Sequence, residues 1–379
     1  METVRNPETY IMGKPTFSNK GPSDFSRTLR KRIKRHFKDS GTDRHANNSM
    51  RWKTVLMLFL FLAPLIILNT GLIAQIWPVF MLYIISGLGM AGIGMGIMHD
   101  AIHGSYSRNR TVNRYLGYTM NLIGANAAVW RIQHNVLHHT YPNVQEADDD
   151  INMPFFLRFS PHAKKYRIHR FQYLYVWFFY SMSTIAWVTA KDFVRLYRYK
   201  KMGFLGKKGE FRNTLMKLIA WKSLYYLYSL ILPIIVLPMA PWIVVSGFIA
   251  MHLVTGLLIS SVFQIAHIMP GMEYPLADKN GTIDNDWAAH QLATTSNFSP
   301  DSRLFSWLIG GLNYQVEHHL FPNICHVHYR KISPIVKRTA KEFGIPYHTN
   351  RTFLSAIMEH IKMLRSLGTA KMAVQGNPG

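Results

Sequence analysis

Long apolar blocks constrain the fold of this chain most strongly. Two of them, 55–76 and 79–98, follow one another with only a Trp-Pro dipeptide between them, and two more occupy 218–237 and 242–265. Each block has at least 20 residues, enough for an α-helix to cross a hydrocarbon core of roughly 30 Å. The sequence therefore predicts an all-α integral membrane protein with four spans arranged as two helical hairpins.

The basic residues predict the orientation of these spans. The net charge is +23, with thirteen Lys or Arg in the first 53 residues and nine in 191–217. Basic segments stay on the cytoplasmic side and attract anionic lipids, so both termini are expected there. A fifth apolar block, 173–190, would separate the basic stretches 109–170 and 191–217 if it spanned. We therefore expect it to lie at the membrane interface. No recognition motif accompanies the charge, and no nucleic-acid partner is expected.

Three regions follow from this layout: a basic cytoplasmic segment 1–53, a membrane domain 54–346 and a cytoplasmic tail 347–379. The stretch SRTLRKRIKRHF in the first region predicts a basic amphipathic helix on the membrane surface. GLGMAG (87–92) has the spacing of a dinucleotide-binding loop, but it lies inside a span and favours close helix packing instead. The single cysteine, Cys325, excludes an internal disulfide framework.

The most informative residues are histidines, of which the chain has 18. Residues four apart share one face of an α-helix, and HDAIH, HNVLHH and QVEHH each place polar side chains at one-turn spacing. The predicted topology brings all three clusters, together with a histidine that follows the fourth span, to the cytoplasmic side. The candidate metal ligands are His99, His103, His134, His138, His139, His267, His318 and His319.

Eight imidazoles exceed the needs of one ion and suit two first-row metals. Imidazole binds iron, zinc and copper, so the ligand type alone does not choose among them. The absence of an H-E-x-x-H helix argues against a zinc protease.

At these clusters the sequence resembles the membrane fatty acid desaturases, a di-iron family, over about 56–346. GGLNYQVEHHLFP is very similar to the third histidine box of that family, and glutamine at its first position is typical of the front-end, linoleoyl-CoA-type branch. The resemblance implies two iron ions held by the eight histidines with Gln315, and dioxygen as co-substrate. It also implies formation of a cis double bond in a fatty acyl chain linked to CoA or to lipid.

The front-end members of eukaryotes carry a fused cytochrome b5 domain marked by His-Pro-Gly-Gly, and this sequence contains no such motif. A separate electron donor, such as cytochrome b5 or ferredoxin with its reductase, is therefore expected. A bacterial inner membrane is favoured over the endoplasmic reticulum.

Two alternatives stay open from the residues alone. A similar metal centre could hydroxylate a lipid or alkane, and a His-rich cytoplasmic site could belong to a metal transporter or sensor. Among the remaining polar residues, Asp100 and Glu317 are candidates to orient the metal-binding rings. The run 148–150 is a further candidate for that role, although a solvated loop or a partner of basic residues is the favoured interpretation. His252, His326 and His328 are expected to have structural roles.

Overall fold

The computed structural model describes residues 15–18 and 23–369 and is mainly helical there; most of the predicted N-terminal segment that precedes Ser23 lies outside the described residues. In chain order the helices are α1 Ser23–Ser40, α2 Asn48–Leu68, α3 Ile76–His103, α4 Arg110–Gly117, α5 Thr119–Leu122, α6 Ala127–Arg131, α7 Gln172–Ala186, α8 Asp192–Lys201, α9 Glu210–Val236, α10 Pro241–His267, α11 Trp287–Thr294, α12 Arg303–Leu308, α13 Gln315–Leu320, α14 Tyr329–Glu342 and α15 Phe353–Thr369.

Several of these helices contain or adjoin other helical forms. π-Helical turns, with i to i+5 hydrogen bonds, occupy Ile93–Ile97 within α3, Ile132–His138 after α6, Trp187–Lys191 between α7 and α8, and Leu227–Ile231 within α9. Short 3₁₀-helices occupy Arg167–Phe171 and His326–His328. Two parallel two-stranded pairs join β1 Thr16–Phe17 to β2 Thr282–Ile283, and β3 Ser296–Phe298 to β4 His348–Asn350.

Four helices are long and apolar enough to cross a membrane: α2, α3, α9 and α10. They form the two predicted hairpins, but the first turn lies earlier than the Trp-Pro dipeptide. The first span ends at Leu68 because Gly71 adopts a φ of +74° and the side chain of Asn69 donates to the carbonyl of Tyr228 (2.9 Å). Pro78 instead belongs to the first turn of α3, where a missing N–H costs no helical hydrogen bond.

The second and fourth spans continue beyond the apolar blocks from which they were predicted. α3 extends to His103 rather than ending at 98, and α10 extends to His267 rather than ending at 265. These extra turns carry candidate metal ligands on rigid helices, which fixes their positions better than a loop would.

The spans pack closely where small residues were predicted to allow it. A Cβ added to Gly89 would overlap the backbone of Phe61 in α2, and a Cβ added to Gly87 would lie 2.7 Å from the carbonyl oxygen of Met251 in α10. GLGMAG is therefore a packing surface, as predicted. α7 approaches α10 equally closely, since a Cβ at Gly256 would overlap the carbonyl oxygen of Ser181.

Both predicted cytoplasmic ends contain helices that belong to the packed structure. α1 is helical as predicted, but Phe25, Leu29 and Ile33 on its apolar side are buried in a core shared with Ile332 and Val336 of α14. That side therefore faces protein and not the membrane surface. The predicted tail likewise contains β4 and α15, whose Leu364 is fully buried; residues 370–379 lie outside the described part.

Candidate metal centre

The structure brings all eight candidate histidines to one buried place at the ends of the spans. Each lies in at least one set of side chains whose ligand atoms fall within 4.8 Å of one another. These overlapping sets are His99, His103, His134 and His318; His138, His267 and His319; and His139, His318 and His319. The predicted meeting of the three boxes and the isolated histidine of α10 is therefore present in the fold.

The second box reaches this place through a π-helical turn and not through the α-helix that its spacing suggested. The backbone N–H of His139 donates to the carbonyl of His134, five residues earlier, at 2.9 Å. Side chains five apart therefore share a face, and the Nε2 atoms of these two rings lie 3.2 Å apart. In an α-helix, with 3.6 residues per turn, His139 would point about 140° away from His134.

Three of the rings are oriented by hydrogen bonds at the nitrogen that points away from the cluster. Nδ1 of His138 lies 3.1 Å from the carboxylate of Asp148. Nδ1 of His267 lies 3.1 Å from the carbonyl oxygen of Thr294, and Nδ1 of His319 lies 2.9 Å from Oε1 of Gln291. Each acceptor holds a proton on Nδ1, which leaves Nε2 as the ring atom that can bind a metal.

This arrangement fits a metal centre. His138, His267 and His319 form one of the close sets, and Nε2 of both His267 and His319 has no hydrogen-bond partner among the described residues. Lone pairs that converge without a donor between them repel one another, whereas a cation satisfies all of them at once. His103 has the same unpartnered Nε2 in the other large set.

Burial favours the neutral form of the rings, which is the form that binds metals. Burial, with the charges of neighbouring histidines, holds the pKa of His134, His139, His318 and His319 well below its usual range. Burial acts in the same direction at His138, but Asp148 outweighs it and raises the pKa to about 9. Because Nδ1 of His138 faces that carboxylate, the proton that a bound cation displaces is the one on Nε2.

The two carboxylates predicted to orient metal-binding rings form hydrogen bonds with other side chains instead. Asp100 accepts a hydrogen bond from Nδ1 of His326 at 2.7 Å, while Nδ1 of His99 is 4.0 Å from its carboxylate. Glu317 accepts from Asn297 and from Tyr347. Both carboxylates therefore connect chain segments around the histidine boxes. The prediction that these two residues orient metal-binding rings was wrong.

The acidic run 148–150 contributes more to the orientation of the rings than the sequence indicated. Asp148 is fully buried and orients His138, and Asp150 also lies 3.5 Å from that ring. Asp149 forms an ion pair with Arg195 at 2.6 Å, as predicted for a partner of basic residues. Gln291 and Thr294 were missed altogether, since an amide and a backbone carbonyl give no recognisable pattern in a sequence.

The remaining predicted residues have clear places. Gln315 begins α13, one turn before His319; its side chain is buried and its Nε2 has no hydrogen-bond partner among the described residues. His252 binds the hydroxyl of Tyr225 at 2.7 Å within the spans, and His328 donates to the carbonyl of His45. The structural roles predicted for His252, His326 and His328 agree with these contacts.

A narrow cavity in two adjoining parts, which share walls but are separate, lies between the histidines and the bundle of spans. Its inner part is almost wholly apolar and extends along α3 as far as Met90, and its outer part contains His134, His138 and His267. The two parts share the walls formed by Trp130, Trp187, Ile259 and Phe263. The outer part also has a polar lining of Gln133, Asp148, Asp150, Ser183, Lys191, Ser260 and Gln264. The apolar inner lining and the polar outer lining match the chemistry of an apolar chain with a polar end.

Comparisons with known proteins agree with the site. The family profile described as fatty acid desaturase matches residues 74–351. The chain is 33% identical over 358 residues to the sn-1 linoleoyl-lipid 6-desaturase of Synechocystis sp., covering 91% of this chain and 96% of that protein. It is 32% identical over 343 residues to the enzyme of the same name from Arthrospira platensis, covering 90% and 92%.

A eukaryotic relative, the acyl-lipid (8-3)-desaturase of Physcomitrium patens, is 30% identical over 362 residues, covering 93% of this chain and 73% of that protein. These matches favour neither the hydroxylase nor the metal transporter considered from the sequence. With four membrane-spanning helices and a buried histidine cluster at their ends, this chain belongs to the fatty acid desaturase family and is an enzyme that desaturates fatty acids.

Proposed function

We propose that the eight histidines and Gln315 hold two iron ions, which use dioxygen to introduce a cis double bond into the acyl chain of a membrane lipid. The observation that supports this most directly is that the apolar cavity and the cavity at the histidine cluster share four walls, Trp130, Trp187, Ile259 and Phe263. An acyl chain in that cavity would pass directly beside the rings of the second box.

The chemistry required at this site supports iron, since the all-imidazole donor set alone is compatible with iron, zinc and copper. All eight nitrogen donors are imidazoles, and the described part of the chain has no thiolate in the cluster, because Cys325 lies beside Asp100. A di-iron centre supplies the dioxygen-dependent oxidation that breaking an unactivated C–H bond requires, which no side-chain acid or base can supply.

The residues of this chain would position the substrate and keep water away from it. Trp130 stacks on His134 with ring centroids 4.2 Å apart, and Phe263 lies against His99 and His134. These aromatic walls fix where an acyl chain passes the metal ligands. Such a site excludes water and holds one pair of methylene groups at the metal ligands. An oxidant that could attack many C–H bonds then acts at one position of the chain.

We infer a lipid-linked substrate and a double bond near the polar end of the acyl chain. The relatives that match nearly their whole length are named linoleoyl-lipid 6-desaturases. The polar lining lies in the outer part of the cavity beside His138, and the apolar part extends beyond it toward Met90. A headgroup held at the outer part would place the carbons nearest to it at the metal, with the methyl end in the inner part.

We further propose that the metal end of the spans faces the cytoplasm, in a bacterial inner membrane. The basic segment 191–217 and the metal ligands lie at the same ends of the spans, and basic segments favour the cytoplasmic side. The relatives from Synechocystis sp. and Arthrospira platensis support a bacterial setting. Electrons would come from a separate carrier such as cytochrome b5 or ferredoxin with its reductase.

Expression in a host that lacks such polyunsaturated lipids tests the function. Methyl esters of each lipid class and of the acyl-CoA pool are analysed by mass spectrometry, with the double bonds located along the chain. The expected result is a new cis double bond in the lipid-linked pool, none with His318→Ala, and two irons per purified chain. New hydroxyl groups instead would establish the hydroxylase, and product confined to acyl-CoA would overturn the inferred substrate class.

A further inference from the structure

We propose that a basic groove beside the third box, separate from the acyl cavity, is the docking site of a small acidic electron-carrier protein. The inference rests on the proposed function, because a metal site that reduces dioxygen during desaturation must receive electrons from outside the chain. Two electrons, two protons and dioxygen, with the two hydrogens removed from the acyl chain, give two waters. Each docked carrier would be oxidised by one electron, so two encounters complete one turnover.

The groove lies between α1 and the segment that follows α13, and its volume is about 830 Å³. Its floor is apolar and consists of Ile33, Phe37, Leu320, Phe321 and Ile324. Its rim carries the cations Arg30, Lys34, Lys38, Arg44 and Arg108. A buried apolar centre with a charged rim is the usual anatomy of a protein interface.

The charge of the groove selects the kind of partner. Five cations face a single carboxylate, Asp43, which is paired with Arg108 at 3.0 Å. Lys34 and Lys38 are exposed and lie one helical turn apart on α1. A positive surface of this kind steers a negatively charged protein into contact and raises its association rate. Small interfaces of this type are typical of transient electron-transfer encounters.

The position of the groove distinguishes it from the substrate site. None of its lining residues lines either part of the acyl cavity. A carrier can therefore dock while an acyl chain occupies the cavity. The reaction requires this, because its two electrons arrive in two separate encounters.

Short paths connect the floor of the groove to the metal ligands. Leu320 and Phe321 directly follow His319 in the chain. The carbonyl of His45, also in the groove, accepts a hydrogen bond from His328 at 2.9 Å, and the neighbouring Tyr329 has its hydroxyl 3.2 Å from Nδ1 of His318. An electron entering here thus has covalent and hydrogen-bonded routes to two ligands of the third box.

A third connection starts from Arg44. Its carbonyl oxygen accepts from the backbone N–H of Cys325 at 2.9 Å, and the adjacent His326 binds Asp100, the residue after His99. The segment that precedes α2 is therefore attached to both the first and the third box. This attachment keeps the basic rim at a fixed distance from the metal.

Carrier binding to the full-length protein in phosphatidylcholine nanodiscs tests the proposal, using oxidised soluble cytochrome b5 and an acidic ferredoxin as probes. The charge reversal Lys34→Glu/Lys38→Glu is compared with Lys207→Glu/Lys208→Glu, a pair of exposed lysines elsewhere that changes the net charge equally. We expect the groove pair to weaken the Kd of at least one carrier by about tenfold at low salt, and less at high salt. The control pair should leave the Kd within about twofold of the wild type, as expected for charges outside the interface.

Three results would overturn the docking site. They are an equal loss of affinity in both pairs, an unchanged affinity in the groove pair, or binding of neither carrier to the wild type. If the groove pair leaves both carrier affinities unchanged but loses phosphatidylglycerol that the wild type retains when this lipid is added to the nanodiscs, an anionic lipid headgroup occupies the groove and the docking site is overturned. Binding is measured without substrate, so a failure of the proposed function would show as absent product in wild-type lipid profiles and not as a change in these affinities.

Discussion

The Nε2 atoms of His139 and His318 lie 2.9 Å apart although 179 residues separate the two histidines along the chain. A second pair is similarly close: the Nε2 atoms of His99 and His134 lie 3.1 Å apart. Neutral rings in such numbers have too few protons to bridge every contact, so a bound cation should contribute strongly to the stability of this end of the bundle.

Removal of the metal should therefore destabilise the protein. Ligand binding to the folded state adds about 2.7 kcal/mol when free metal is roughly 100 times its Kd. We expect protein stripped with a membrane-permeant chelator to unfold at a lower temperature, measured by scanning fluorimetry in detergent, and iron to restore the original midpoint. An unchanged midpoint in a sample that analysis proves to be metal-free would contradict a structural contribution of the centre.

Asp148→Asn should weaken metal binding with little effect on the fold. An amide still accepts a hydrogen bond from His138 but no longer supplies the charge that holds this ring, and changes of this kind cost about 10- to 100-fold in metal affinity. The measurement is iron content after dialysis against a buffered chelator.

Asp149→Asn is the matched control for that experiment. Asp149 is equally buried but pairs with Arg195 and receives a hydrogen bond from Tyr199 at 2.6 Å. Its loss should lower the unfolding temperature, by the equivalent of about 1.5–3 kcal/mol for a charged hydrogen bond, and spare the iron. Equal iron retention in both variants would contradict the role assigned to Asp148.

Gln291 offers a test of the ring of His319. Gln291→Leu removes the acceptor at Nδ1 and should lower both iron content and product, whereas Gln291→Glu keeps an acceptor in the same place and should retain more of both. Iron analysis and methyl-ester profiles of the two variants provide the comparison. Identical behaviour of the two variants would mean that this hydrogen bond does not orient the ring.

Met90→Trp should shorten the acyl chains that the enzyme accepts. Met90 lies nine residues before His99, about 13 Å along α3, and lines the inner part of the cavity with only 2% of its surface exposed. Leu88→Trp is the control, since Leu88 lies on the same helix but is 46% exposed on its outer side. We expect the ratio of shorter to longer products to rise with the first variant and to stay constant with the second. The same shift in both would exclude Met90 from the acyl site.

Much of the metal centre was predictable from the sequence because helical spacing and topology act together. His99 and His103 share a helix face by their spacing, and the basic segments placed them in the same compartment as His318 and His319. Neither argument needed a detailed structure. His267 followed from the same layout, since its position just beyond the fourth span fixed the end of the bundle at which it lies.

The residues that orient the rings were not predictable in the same way. Asp148 reaches His138 because the intervening loop turns sharply, with a φ of +60° at Asn143, and no periodic pattern encodes such a loop. Asp100 was a candidate to orient a metal-binding ring, yet its carboxylate is directed toward His326. Neighbouring residues on an α-helix point about 100° apart, so Asp100 does not face the same way as His99.

The ends of the spans depended on single residues and not on hydrophobicity. Apolar residues continue past Leu68, so the block alone suggested a longer first span. Asn69 and Gly71 end that helix through a hydrogen bond to α9 and a left-handed backbone. Conversely, Asn47 starts α2 well before the apolar block by accepting the N–H of Met50 at 3.0 Å.

The π-helical turn at Ile93–Ile97 gives the second span a property that its histidines alone do not have. A turn of this kind holds one residue more than an α-helical turn, which rotates everything after it by about 100° relative to a regular helix. If the span were a regular α-helix, His99 and His103 would point away from His134, toward a different side of the bundle. The five apolar and glycine residues of this turn, which lie inside the span, therefore determine the direction of His99 and His103. Deletion of one of the five would turn both ligands away from the cluster although neither ligand is altered.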